Sequence, residues 1–164
     1  VTAYDPSAWT DLFVATAGAS AALVGLVFVA VSINIERILS YPGLTERALE
    51  TVLLLMGIVV ASIAGLIPGQ SSLALGLELL VVGALVGGWV SSLTTTHGQG
   101  APHPRAWLTT RWTVRVLGTV PIALAGISLI LESGGGLYWL AAGIVFAVVG
   151  AIANAWVLLV EILR

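Results

Sequence analysis

Cysteine is absent from this 164-residue chain, which excludes disulfides, thiolate nucleophiles and thiolate metal sites in one step. Lysine is missing too, so all six basic residues are arginines, and charged residues make up only 9% of the chain. No basic cluster of the nucleic-acid-binding type exists. Catalytic signatures are equally scarce: there is no GxxxxGK[ST], no HExxH, no paired glycine-rich dinucleotide turn and no GxSxG elbow. Ser20, Ser62 and Ser128 supply hydroxyls inside apolar stretches, but no histidine shares such a stretch with them. A potassium filter of the TVGYG type is absent as well. His97 and His103 stand in the stretch "THGQGAPHPRAW" without a nearby Asp, Glu or Cys, so they read as solvated loop residues and no metal site or other cofactor is expected.

What the chain has in abundance is apolar length. Hydrophobic residues make up 59% of it, and the mean hydropathy is +1.08. Five apolar segments stand out, at about 12–35, 48–68, 71–95, 112–132 and 137–160. About 20 helical residues match a hydrocarbon core of roughly 30 Å, and lipid offers no partner to an open backbone amide, so helices are expected. A membrane β-barrel would alternate polar and apolar residues, which "AALVGLVFVAV" and "LALGLELLVVGALVGGWV" do not. The expectation is an all-α, polytopic integral membrane bundle of five transmembrane helices forming a single domain over 1–164. The first segment follows the acidic stretch "VTAYDPSAWTD" and outruns the roughly 7–15 apolar residues of a secretory signal, so it reads as a retained helix.

Arginine sets the orientation. Arg37 and Arg47 fall between segments one and two, Arg105 and Arg111 between three and four with Arg115 just inside the fourth, and Arg164 follows the fifth. The N-terminal stretch and the turns at 68–72 and 133–136 contain none. The positive-inside rule then places the N-terminus outside and the C-terminus in the cytoplasm. Use of arginine alone, with much Ala, Gly, Val and Leu, suggests a bacterial plasma membrane.

Small residues recur every fourth position on three segments: Ala17, Ala21 and Gly25; Gly57, Ala61 and Gly65; Gly143, Ala147, Ala151 and Ala155. Such rows let backbones approach where water supplies no drive. With Gly76, Gly83, Gly87 and Gly88, the third segment is the most notched and is expected at the crowded centre. These notches serve packing within one subunit, a homo-oligomeric interface or a pore-lining helix. Pro121 interrupts the fourth segment and removes the donor for the Leu117 carbonyl, which predicts a kink.

Few polar residues lie within the apolar segments. Glu78, in "LALGLELLVV", either sits deep enough to face a solute or proton pathway or reaches the outer interface. Asn34, Glu36, Arg37, Glu50, Arg111, Arg115 and Glu161 gather near the cytoplasmic end, as a vestibule or as pairs such as Glu50 with Arg115. Asn154 can join two helices or ligate a cation. Trp89 and Trp156, one to two turns inside the inner interface, are expected to be packing residues, with lining of a cavity as the alternative. From these residues we expect a small oligomeric channel or carrier for an ion or small solute, with Glu78, Asn154, Glu50, Arg115 and Asn34 along the pathway. The alternative is a non-transporting accessory or scaffold subunit of a larger membrane complex. Membrane lipids and either a second copy or another membrane protein are the expected partners; nucleic acid is not.

Overall fold

The computed structural model describes residues 2–40, 43–95 and 105–163, with the side chains of 94–95, 105–112, 114–115 and 157–163 outside the description. Two short 3₁₀ turns, Thr2–Tyr4 and Pro6–Trp9, precede six helices: α1 (Thr10–Ile33), α2 (Ile35–Ser40), α3 (Leu44–Gly65), α4 (Ser72–Thr95), α5 (Arg105–Leu131) and α6 (Leu137–Leu163). No strand occurs among the described residues. Four stretches are long and apolar enough to cross a membrane, namely Pro6–Ile33, Leu44–Gly65, Ser72–Leu93 and Leu137–Trp156; α5 adds a shorter apolar stretch, Val116–Leu131.

Local chemistry explains the breaks. At Asn34 the backbone leaves the helical region, and the side-chain amide donates to the Ala30 carbonyl at 2.9 Å, so α1 ends there and α2 starts afresh. The α3–α4 turn carries Pro68 and Gly69, the latter at φ +69°, where proline cannot donate and glycine accepts the left-handed backbone. At the end of α5 the Ser133 amide donates to the Ser128 carbonyl and the Glu132 amide to Leu129, which is a Schellman cap with Glu132 in the left-handed position at φ 48°. Three glycines then lead into α6.

Helices α3, α4, α5 and α6 close a four-membered ring, each touching its two neighbours, and α1 lies outside it along α3. Aliphatic side chains fill the centre: Ile58, Leu75, Leu79, Ile122, Leu129 and Ile144 are each at most 5% exposed. Around the outside, Leu26, Phe28, Leu85, Val145 and other large apolar side chains are exposed. The molecule is therefore apolar both inside and out, as a lipid-facing bundle must be.

The expectation that the third segment forms the crowded centre is corrected. Helix α3, the second segment, holds that place: 61% of its apolar window is buried against 33% for that of α4. The reason lies in where the notches face. On α4, Gly76, Gly83 and Gly87 all turn toward α5, opposite Gly126, Ala123 and Thr119. On α3, Gly65 faces Phe13 of α1 while Gly57 faces Val86 of α4. Glycine content measures how closely one neighbour approaches; it does not count neighbours.

Candidate functional site

The 3₁₀ turns cap the end of the bundle at which α3 ends and α4 begins. Trp9 stands edge-on to Tyr138 with ring centroids 4.9 Å apart, and the Gly135 amide donates to the Tyr4 hydroxyl at 3.2 Å. Ser128 Oγ donates to the Ser133 carbonyl and accepts the Gly136 amide at 2.7 Å. All arginines in the described helices, Arg37 in α2, Arg47 in α3 and Arg105, Arg111 and Arg115 in α5, lie toward the opposite end. The bundle thus has a capped end and an arginine end.

Near the capped end, α3 and α4 border an open groove of about 440 Å³. Its walls are Val60, Ile63 and Ile67 on one side and Leu77 and Val81 on the other, with Glu78 as the single charged residue lining it. Glu78 is half-buried, and its Oε2 accepts a hydrogen bond of 2.6 Å from Nε2 of Gln70, which the α3–α4 turn places eight residues upstream. The carboxylate is therefore drawn toward the turn. Gln70 commits its amide nitrogen to this bond, and its Oε1 is buried with no hydrogen-bond partner. A buried acceptor without a donor costs about 1–3 kcal/mol.

The other residues singled out in the sequence are dispersed. Asn34 caps α1 and has its amide committed to Ala30. Glu50 and Arg47 are buried in the first half of α3, and each has an interaction partner. The side chains of Arg115, Arg111 and Glu161 lie outside the described residues, as do His97 and His103, so the proposed pairs stand as proposals. Asn154 is half-buried on α6. Pro121 is buried in α5, where a Cβ added at Gly143 would come within 3.2 Å of its ring, so α6 passes close over the proline.

Gly57, Gly65, Gly83, Gly87, Ala61, Ala147 and Ala151 all lie against neighbouring helices or in the core of this one subunit. Trp89 and Trp156 depart from expectation: at 59% and 67% exposed they point outward instead of packing between helices.

Sequence reasoning missed Gln70. It was legible only as a turn residue, and its role depends on the turn folding back over the first two turns of α4. The hydroxyl pair Thr16 and Ser62, 2.8 Å apart between α1 and α3, was missed for the same reason. Hydroxyls on separate helices carry no shared sequence signal.

Together these features define a class, a helical bundle with apolar surfaces and, near its capped end, an apolar groove lined by one acidic residue. Comparison with protein-family profiles, with curated proteins and with solved structures finds no match.

Proposed function

We propose that this chain is a non-transporting subunit of a membrane complex, one that crosses a bacterial plasma membrane five times with its N-terminus outside. The observation that carries this reading is the solid aliphatic centre of the four-helix ring, where Leu75, Leu79 and Leu129 are fully buried. A polar solute crossing the layer that these leucines fill would have to give up water against aliphatic side chains, and desolvation without compensation costs several kcal/mol per polar group. That layer supports reading a single copy, over its described residues, as a set of docking surfaces. Arginine distribution supports the orientation, because all the arginines in the described helices share one end.

The test joins two measurements. Reconstituted in liposomes, the protein should pass no proton, cation or anion above the protein-free background. Crosslinking in native membranes followed by mild solubilisation should recover one foreign membrane protein in stoichiometric amount. Reproducible ion flux would overturn the proposal.

The second reading, an oligomeric channel or carrier for an ion or small solute, is favoured by Glu78 alone. That residue lies in a groove on the outside of the ring, so a pathway using it would run between copies. In that case Glu78→Gln would change flux, and the protein would be a closed oligomer in mild detergent.

A further inference from the structure

We infer that lipid headgroups on the arginine side meet the bundle at Trp89 and Trp156, which bind their ester and phosphate oxygens and mark that edge of the hydrocarbon layer. This placement rests on the chain's crossing a membrane and is the same for a subunit or a carrier. The tryptophans of the two ends differ in how their indole nitrogens are satisfied. At the capped end they are used within the chain: Trp9 Nε1 donates to the Thr2 carbonyl and Trp139 Nε1 to the Gly134 carbonyl, both at 2.7 Å. Trp89 and Trp156 point outward and make no hydrogen bond to any described residue. Hydrocarbon offers no acceptor to such an N–H, whereas the headgroup level holds ester and phosphate oxygens beside an apolar layer for the ring. The acceptor must come from outside the chain.

Depth agrees along three helices. Ser72 Oγ donates to Glu132 Oε1 at 3.2 Å, which sets the start of α4 level with the end of α5, just before α6 begins. Seventeen helical steps lead from Ser72 to Trp89, and seventeen lead on α6 from the exposed Trp139 to Trp156, about 26 Å in each case at 1.5 Å per residue. On α3, Arg47 stands eighteen residues before Gly65, about 27 Å from the same end. Two indoles and a guanidinium thus share one level. Between the two ends every exposed residue on these stretches of α4 and α6 is apolar, among them Leu77, Val81, Leu85, Val145, Val149 and Ile152. The distance is slightly under the roughly 30 Å of a typical hydrocarbon core.

Fluorescence quenching of the full-length protein in liposomes tests this, with five tryptophans replaced by Phe so that Trp89 or Trp156 stands alone. Phospholipids brominated near the headgroup should quench either indole about twofold more than phospholipids brominated near the chain end. Val81→Trp, nine steps into α4 and near mid-depth, should show the reverse order in the chain whose six native tryptophans are all Phe. Because Trp9 and Trp139 pack within the cap, a second measurement leaves them in place: nitroxides on Trp89→Cys, Trp156→Cys and Val81→Cys, one at a time in the cysteine-free chain, report depth by their accessibility to oxygen and to a nickel chelate. The first two should be shallow and the third deep. Deep placement of Trp89 and Trp156 by both methods would overturn the inference. So would protection of both from every lipid label while Val81→Trp is quenched, which would assign this level to a protein partner. Absence of quenching at all three positions would overturn the membrane reading and this placement with it.

Discussion

A glycine here matters through the atom opposite it. A Cβ on Gly126 would lie 2.6 Å from the Gly76 carbonyl and 3.0 Å from the Leu80 amide, both backbone, so α4 and α5 would have to separate. Gly126→Ala should therefore cost about 2–3 kcal/mol, at the upper end of overpacking effects. At Gly65 the obstacle is the Phe13 ring, 2.5 Å from the added atom, and a ring can be shortened. Gly65→Ala should cost about 1–2 kcal/mol, and combining it with Phe13→Leu should recover part of that loss. Gly25 has nothing within 4 Å, so Gly25→Ala should leave stability unchanged or raise it by about 0.5–1 kcal/mol through helix propensity. Reversible unfolding in mixed micelles measures all four variants. The sequence made the small-residue rows plain, because their spacing of four is local. It could not say that Gly126 meets backbone while Gly25 meets open space, since each answer depends on a neighbouring helix.

Turns were the most legible elements, and their long-range partners the least. Pro68, Gly69 and the three glycines after Ser133 announce two tight connections, and both are found. Nothing local announces that Thr2–Trp9 folds over the second of them. The second of its turns, Pro6–Trp9, is capped by Asp5, which accepts hydrogen bonds from the Ser7 hydroxyl at 2.6 Å and the Ser7 amide at 3.0 Å. These bonds, the hydroxyl first, hold the Asp5 carboxyl below the usual carboxylate range. A carboxyl lowered in the folded state contributes its stability above its unfolded value, and the contribution disappears as pH falls through the folded one. Acidification below the ordinary carboxylate range should therefore loosen the cap, seen as a change in Trp9 fluorescence with Trp107, Trp112, Trp89, Trp139 and Trp156 replaced by Phe. The Asp5→Ala variant should show the loosened signal at neutral pH and lack the acid transition.

At the scale of the whole molecule, hydropathy dictated the helices and left their order around one another open. Five segments of similar apolarity can be arranged in many rings, and only side-chain fit selects the one in which α3 touches α1, α4 and α6. Glu78 illustrates the same limit: its position along α4 was readable, whereas its place on the outer groove instead of the ring interior was not. The antiparallel arrangement does impose a testable geometry. Ser7 and Ser133 lie at the capped end, and Ser40 lies beyond α1 at the arginine end, all of them exposed. With no native cysteine to interfere, Ser7→Cys and Ser133→Cys should react with an impermeant maleimide from one side of the membrane and Ser40→Cys from the other. The orientation proposed from the arginines predicts that the Ser40 side is cytoplasmic, because translocating a guanidinium is costly and the membrane potential opposes it. Labelling of Ser7→Cys and Ser133→Cys from opposite sides would break the pairing of the N-terminal turns with the α5–α6 connection. Labelling of Ser40→Cys from outside would keep the bundle intact and invert it, since all three positions would exchange sides together while Ser7 and Ser133 stayed on one face.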